Sequence, residues 1–199
     1  MTYRHPTGRS ARTVYEELYS RHNYGGGEHG QDMEWTLEGC ESMLDVGGGR
    51  TPTASRYKAA GKLKRAAVCD ISQKALSQQP RDIETRQCDV TAGLPYGDDE
   101  FDVLTCFDVL EHLQRDSIDF VLAEFARVAK CKLILTIATR PANRDKVMPD
   151  EPLHLTVQPE LWWLGKIERL GRVSKHKCRR TTKAGRAQRY GTTILVELS

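Results

Sequence analysis

The sequence predicts an α/β protein: a doubly wound, mostly parallel sheet with an antiparallel last strand. Three observations lead there. Short apolar segments alternate with helical ones from Ser42 to Ala138, the pattern of β-α-β crossovers. Phe101–Phe107 and Leu133–Ile137 are nearly continuous apolar runs, as strands covered on both faces are. The alternation then stops: Arg172–Lys177 and Thr192–Leu198 read as two strands joined by a basic, glycine-containing connection, an antiparallel hairpin at one side of the sheet.

Each element has a local reason. Arg12–His22 carries Val14, Leu18, Tyr15 and Tyr19 at helical spacing, and Gly25–Gly27 breaks the pattern before a second short helix over residues 32–37. Ser42–Val46 is a short apolar strand. Thr51–Ala60 is helical and Gly61 stops it. Arg65–Cys69 is the second strand, and Ser72 is placed to cap a helix running to Gln78, before Pro80. Glu84–Cys88 is a weaker third strand and Phe101–Phe107 the fourth. Asp116–Ala129 is an amphipathic helix with Phe120, Val121, Phe125 and Val128 on or near one face; Lys132–Ala138 is the fifth strand. Pro159–Leu170 is a last helix, carrying Leu161, Trp162, Leu164 and Ile167.

Composition narrows the class. The chain has 199 residues, 39% hydrophobic and 29% charged, which suits one globular domain rather than a disordered chain. That domain, 1–199, divides into a helical preface (1–40), a core (41–138) and a later segment of loop, helix and hairpin (139–199). No apolar run approaches the roughly 20 residues of a membrane helix, and the polar N-terminus lacks the apolar centre of a secretion signal. A cytoplasmic location is expected. The six cysteines contain no C-x-x-C pair, so buried reduced thiols are expected rather than a disulfide frame, and no metal site is expected. Net charge is +3, yet Arg169–Arg189 holds nine Lys/Arg residues and no Asp or Glu.

Ligands of open α/β sheets bind beyond the carboxyl ends of the strands. After the first strand comes Asp45-Val46-Gly47-Gly48-Gly49, where glycines let the backbone turn and approach a ligand closely. Asp70, after the second strand and twenty-one residues past Gly49, is a carboxylate at the separation suited to a ribose. After the third, Asp89 offers an acceptor to an adenine amine and Val90 a backbone N–H to a ring nitrogen. After the fourth comes Phe107-Asp108-Val109-Leu110-Glu111-His112-Leu113, a polar cluster at the same edge, with His112 expected to bond the backbone. Asp98-Asp99-Glu100 reads as a solvated turn.

On these residues the chain resembles class I S-adenosylmethionine-dependent methyltransferases, especially the small methyltransferase-domain group. Leu44–Gly49, Val68–Ser72, Cys88–Val90, Leu94–Tyr96 and Phe101 to Leu113 stand in the family's order and span about Glu41 to Ala138. The resemblance implies a Rossmann-like sheet of seven strands with the last antiparallel, and S-adenosyl-L-methionine as cofactor. It implies that Asp45 and Gly47–Gly49 face the methionine part, Asp70 the ribose, Asp89 and Val90 the adenine, and that Phe107 touches the cofactor through its backbone. Ile71, Asp108, His112 and Tyr19 complete the expected cofactor set. Gly48 stands where many relatives have cysteine or another small residue.

Methyl transfer to oxygen or nitrogen is in-line displacement at a sulfonium, so alignment and removal of a proton are the protein's tasks. His154, in Glu151–Thr156 after the fifth strand, is the candidate general base. Of Trp162 and Trp163, one is expected to pack in the core and the other to line the pocket. Tyr15, Tyr19, His22 and Tyr24 form a second candidate surface, a lid hinged at Gly25–Gly27. The acceptor is a small or anionic molecule; a nucleic acid guided by the basic segment 175–189 is a second reading, although no D/N-P-P-Y/F signature is present. A non-catalytic cofactor-binding partner and a nicotinamide-binding domain are the remaining readings. The latter is disfavoured because the glycine loop lacks the G-x-G-x-x-G spacing.

Overall fold

In a computed structural model, the residues described are 7–20, 37–141, 152–170, 181–183, 186–188 and 191–198. Helix α1 (Ala11–Ser20) precedes β1 (Ser42–Val46), α2 (Thr53–Ala59), β2 (Arg65–Asp70), α3 (Gln73–Leu76), β3 (Glu84–Gln87), β4 (Phe101–Phe107), α4 (Ile118–Val128), β5 (Ala129–Ala138) and α5 (Glu160–Ile167). Three strands follow: β6 (Thr181–Lys183), β7 (Arg186–Gln188) and β8 (Gly191–Glu197).

The main sheet has the order β3-β2-β1-β4-β5-β8. Its first five strands run parallel and β8 is antiparallel to β5, from Lys132 opposite Glu197 to Ala138 opposite Gly191. Strands β6 and β7 pair in a separate two-stranded sheet. Two expectations are corrected. Among the described residues the main sheet has six strands rather than seven; the expected strand 172–177 lies outside them. The basic connection is more than a linker, since it contains the β6–β7 hairpin.

The sheet is covered on both faces. Leu44, Val46, Leu104, Leu133 and Leu135 pack in one core with Phe125 of α4 and Trp163 of α5. Met43, Val68, Val103 and Ile134 pack in a second with Tyr57 of α2 and Leu76 of α3. Alternate residues of each central strand enter opposite cores, so all but one position of each of β1, β2 and β4 is buried. This is why β4 and β5 read as apolar runs rather than alternating ones. Ser72 caps α3 by accepting from Ala75 N.

The turn before β4 is more structured than expected. Asp98 pairs with Arg127, and Glu100 with Arg65. Arg127 also donates to the carbonyls of Leu94 and Tyr96. The segment Leu94–Glu100 is thereby held against α4. No helix among the described residues is long and apolar enough to cross a membrane. The described cysteines are free.

Candidate functional site

The strand order reverses between β1 and β4, and the carboxyl ends of β1 to β4 open there into one cleft. It is partly enclosed and partly open to solvent. Gly47, Asp70, Ile71, Asp89, Val90, Asp108 and His112 line it, and Tyr15 and Tyr19 of α1 form a further wall. Eight expected cofactor residues, Tyr19 included, therefore meet around one space.

The glycine loop is shaped by close packing. Gly47 has φ +70°, and a Cβ there would run into the Val109 side chain. Gly49 has φ +48°, and its Cβ would collide with the Tyr19 hydroxyl. A Cβ on Gly48 would stand 2.5 Å from Asp45 Oδ2. The loop thus lies between α1, the turn after β4 and the buried Asp45 carboxylate, with no room for side chains.

Four expected residues do not line the cleft. Asp45 is buried beneath the loop, where its Oδ1 accepts from Thr105 Oγ1 at 2.7 Å and its Oδ2 from Thr51 Oγ1 at 3.4 Å. Burial pushes its carboxyl up to about 7. Asp45 braces the loop from below because the strand turns its side chain inward. Gly48 and Gly49 set the loop's path, and Phe107 packs in the second core.

Asp70 is buried at the cleft wall. Its Oδ1 accepts from Ser72 N at 2.8 Å, and its Oδ2 from Tyr19 Oη at 3.5 Å. Burial raises its carboxyl to about 6, against the pull of these donors. The capping and ligand-facing readings of Asp70 therefore coexist. Asp89 accepts from Thr91 N and Thr91 Oγ1 through Oδ1, at 3.0 and 2.6 Å.

Residues after β4 meet the later loop. The Glu111 carbonyl accepts from Leu155 N and Thr156 N, and Thr156 Oγ1 donates to the Leu113 carbonyl. These bonds tie 153–156 to 111–113 and set His154 beside His112, ring edge to ring face, with centroids 4.8 Å apart. His154 stands behind His112 rather than on the cleft lining. Asp108 has φ +54°, an unfavourable conformation for a side-chain-bearing residue at the cleft. Glu111 is fully buried; burial, then the neighbouring Asp108 charge, raises its carboxyl to about 8. Glu111 was not singled out from the sequence, although its position between Asp108 and His112 was visible there.

One tryptophan packs in the core as expected, but the other does not line the cleft. Trp163 is fully buried, and Trp162 packs edge to face on it beneath Arg115 and Lys166; neither lines the cleft. The supposed hinge Gly25–Gly27, His22, Tyr24 and most of the basic segment 175–189 lie outside the described residues.

An α/β sheet with a glycine loop, a carboxylate after β2 and a cleft at its switch point defines a nucleoside-cofactor-binding protein. Residues 44–135 match the methyltransferase-domain family. That match covers 92 of the 199 residues, and it points to S-adenosylmethionine as the cofactor. Solved structures share the fold. The PH0226 protein of Pyrococcus horikoshii superposes with TM-score 0.65 and 13% identity, over 85% of this chain and 89% of its own. An S-adenosylmethionine-dependent methyltransferase of Mesorhizobium loti gives 0.62 and 13%, over 84% and 98%. The trans-methyltransferase CalH, in complex with S-adenosylhomocysteine, gives 0.62 and 16%, over 84% and 53%. No curated protein matches in sequence.

Proposed function

We propose that the chain transfers the methyl group of S-adenosylmethionine to an oxygen or nitrogen of a small or anionic acceptor, with the cofactor in the cleft at the β1–β4 ends. The observation that carries this reading is the convergence of Gly47, Asp70 and Val90 on one space, each from a different strand end. The donor set fits the cofactor. Asp70 presents acceptor oxygens to ribose hydroxyls. Asp89 and Val90 stand where an adenine edge is read, between apolar Ile71 and Leu113. The close-packed loop Gly47–Gly49 admits the methionine part without a Cβ in its way, and Asp108 and His112 border it.

The bound cofactor supplies a methyl group already activated by the sulfonium charge. The protein's contribution is to align the acceptor, exclude water and manage its proton. His154 is the acceptor-side residue. Its Nδ1 lies 2.7 Å from the Arg140 carbonyl oxygen, which only accepts, so Nδ1 carries the hydrogen and Nε2 the lone pair. That lone pair can take up a proton, the general-base role, or a cation.

The test supplies radiolabelled S-adenosylmethionine to the purified chain with a desalted small-molecule fraction, an RNA fraction and a protein fraction from a lysate. Label in the small-molecule fraction, lost on Asp70→Ala, is the expected result. Label confined to RNA would replace the acceptor by nucleic acid. Tight S-adenosylhomocysteine binding with no label transferred to any fraction would favour a non-catalytic binding partner.

A further inference from the structure

Three side chains beside the cleft wall form a constellation that methyl transfer by itself does not require. Glu111, His112 and His154 each offer one ligand atom, and these atoms all lie within 4.8 Å of one another. They come from two segments that the bonds between 111–113 and 153–156 hold together.

The carboxylate has an open valence. Glu111 is fully buried, and its Oε1 accepts from Ala138 N at 3.1 Å. Its Oε2 has no hydrogen-bond partner among the described residues. A buried polar atom left unpaired is costly, roughly 1–3 kcal/mol and more when charged. Asp108, a second carboxylate nearby, adds a like charge rather than relieving it.

The two rings complement it. His112 Nδ1 lies 2.8 Å from the Leu153 carbonyl oxygen, and His154 Nδ1 2.7 Å from that of Arg140. Because carbonyl oxygens only accept, each Nδ1 carries its hydrogen. In the neutral rings each Nε2 then carries a lone pair. A backbone carbonyl behind each ring is the outer partner that orients metal-ligating histidines.

We propose that Glu111, His112 and His154 form a binding site for a divalent first-row transition-metal ion at the wall of the cofactor cleft. Two imidazole nitrogens and one carboxylate oxygen select such an ion over Mg²⁺ or Ca²⁺, which take oxygen ligands. Metal–ligand bonds of about 2.0–2.2 Å in a tetrahedral set place ligand atoms roughly 3.4 Å apart. The three ligand atoms, within 4.8 Å of one another, must draw closer to share an ion, and His154 is the half-buried member carried on a loop. Three protein ligands leave coordination positions open, as in metal sites that engage a substrate.

This inference rests on the methyltransferase reading and narrows its acceptor to an oxygen nucleophile. A hydroxyl bound to the ion releases its proton to solvent more readily than a free one. The resulting oxygen attacks the methyl carbon; the O–C bond forms as the C–S bond breaks, and the electron pair stays on sulfur as S-adenosylhomocysteine leaves. His154 then holds the ion instead of taking the proton. No spacing in the sequence signals the site, because its ligands lie in segments distant along the chain.

The test is calorimetric titration of the chelator-treated full chain with Mn²⁺, Zn²⁺ and Mg²⁺ in turn, and separately with S-adenosylhomocysteine. One Mn²⁺ or Zn²⁺ per chain is expected, with affinity at least tenfold lower in Glu111→Gln and in His154→Ala and S-adenosylhomocysteine affinity retained in His154→Ala. A parent that binds S-adenosylhomocysteine but neither ion overturns the site, as does ion binding unchanged in both variants or stronger for Mg²⁺. A parent that binds no S-adenosylhomocysteine overturns the methyltransferase reading instead. Should Glu111→Gln fail to fold, His154→Ala decides alone: unchanged ion affinity overturns the site.

Discussion

Tyr19 of α1 places its hydroxyl 3.5 Å from Asp70 Oδ2, after β2, and the same hydroxyl occupies the space a side chain at Gly49 would need. One tyrosine thus joins the N-terminal helix to both the glycine loop and the carboxylate that faces the cleft. Helix α1 is a wall of the site.

Asp70→Ala is expected to weaken S-adenosylhomocysteine binding by more than tenfold, about 1.4 kcal/mol or more. The variant loses the acceptor for ribose hydroxyls and the bond from Ser72 N. Calorimetry measures it, and unchanged affinity would sink the ribose assignment.

Gly47→Ala places a methyl group against Val109 at a φ of +70°. The strained conformation and the collision together cost roughly 1–3 kcal/mol of stability. Val109→Ala removes only the collision. The double variant should therefore recover part of the loss in melting temperature and in cofactor affinity; no recovery would show that Val109 is not the obstacle.

Stability of the cofactor-free chain should fall as pH rises from about 4 to 7. Asp45 and Asp70 are raised in the folded protein from 3.8 to about 7 and about 6, both chiefly by burial. Between those values the native state holds protons that the unfolded state has released, so stabilisation present below pH 3.8 is lost on the way up. Each unit of separation is worth about 1.4 kcal/mol. Asp45→Asn should flatten the slope of denaturation free energy between pH 5 and 7; an unaltered slope would mean that Asp45 is ionised throughout.

His154→Ala should lower turnover more than cofactor affinity, since His154 stands off the cleft lining. The ratio of its effects on kcat and on S-adenosylhomocysteine binding is the measurement. A fully active variant would remove His154 from the reaction.

Trp163→Ala should cost about 3–5 kcal/mol, read from denaturant unfolding, because the ring is fully buried between sheet and α5. Trp163→Phe should cost less than half as much. It keeps most of the apolar contact and removes an indole N–H that has no hydrogen-bond partner among the described residues.

Much of the cleft was legible in the sequence because strand-end signals are local. A glycine run after Leu44 and an aspartate after Val68-Cys69 declare themselves by what must follow a buried strand. Burial on two faces wrote β4 and β5 as apolar runs. Asp45 misled for the same reason: its place in the motif was readable, but the strand's side-chain alternation, which points it under the loop, concerns depth rather than spacing. The described residues account for six of the seven expected strands, and the remaining one, 172–177, lies outside them.

The sequence by itself determined the order of elements and the strand ends that open into the cleft. Only the tertiary structure decided that Glu111, unremarkable in the chain, keeps an oxygen with no partner among the described residues beside two histidine rings, and that His154 comes to lie against His112. Local backbone chemistry specifies turns and caps. The meeting of 111–113 with 153–156 depends on backbone hydrogen bonds between distant segments, and no residue pattern along one segment encodes its partner.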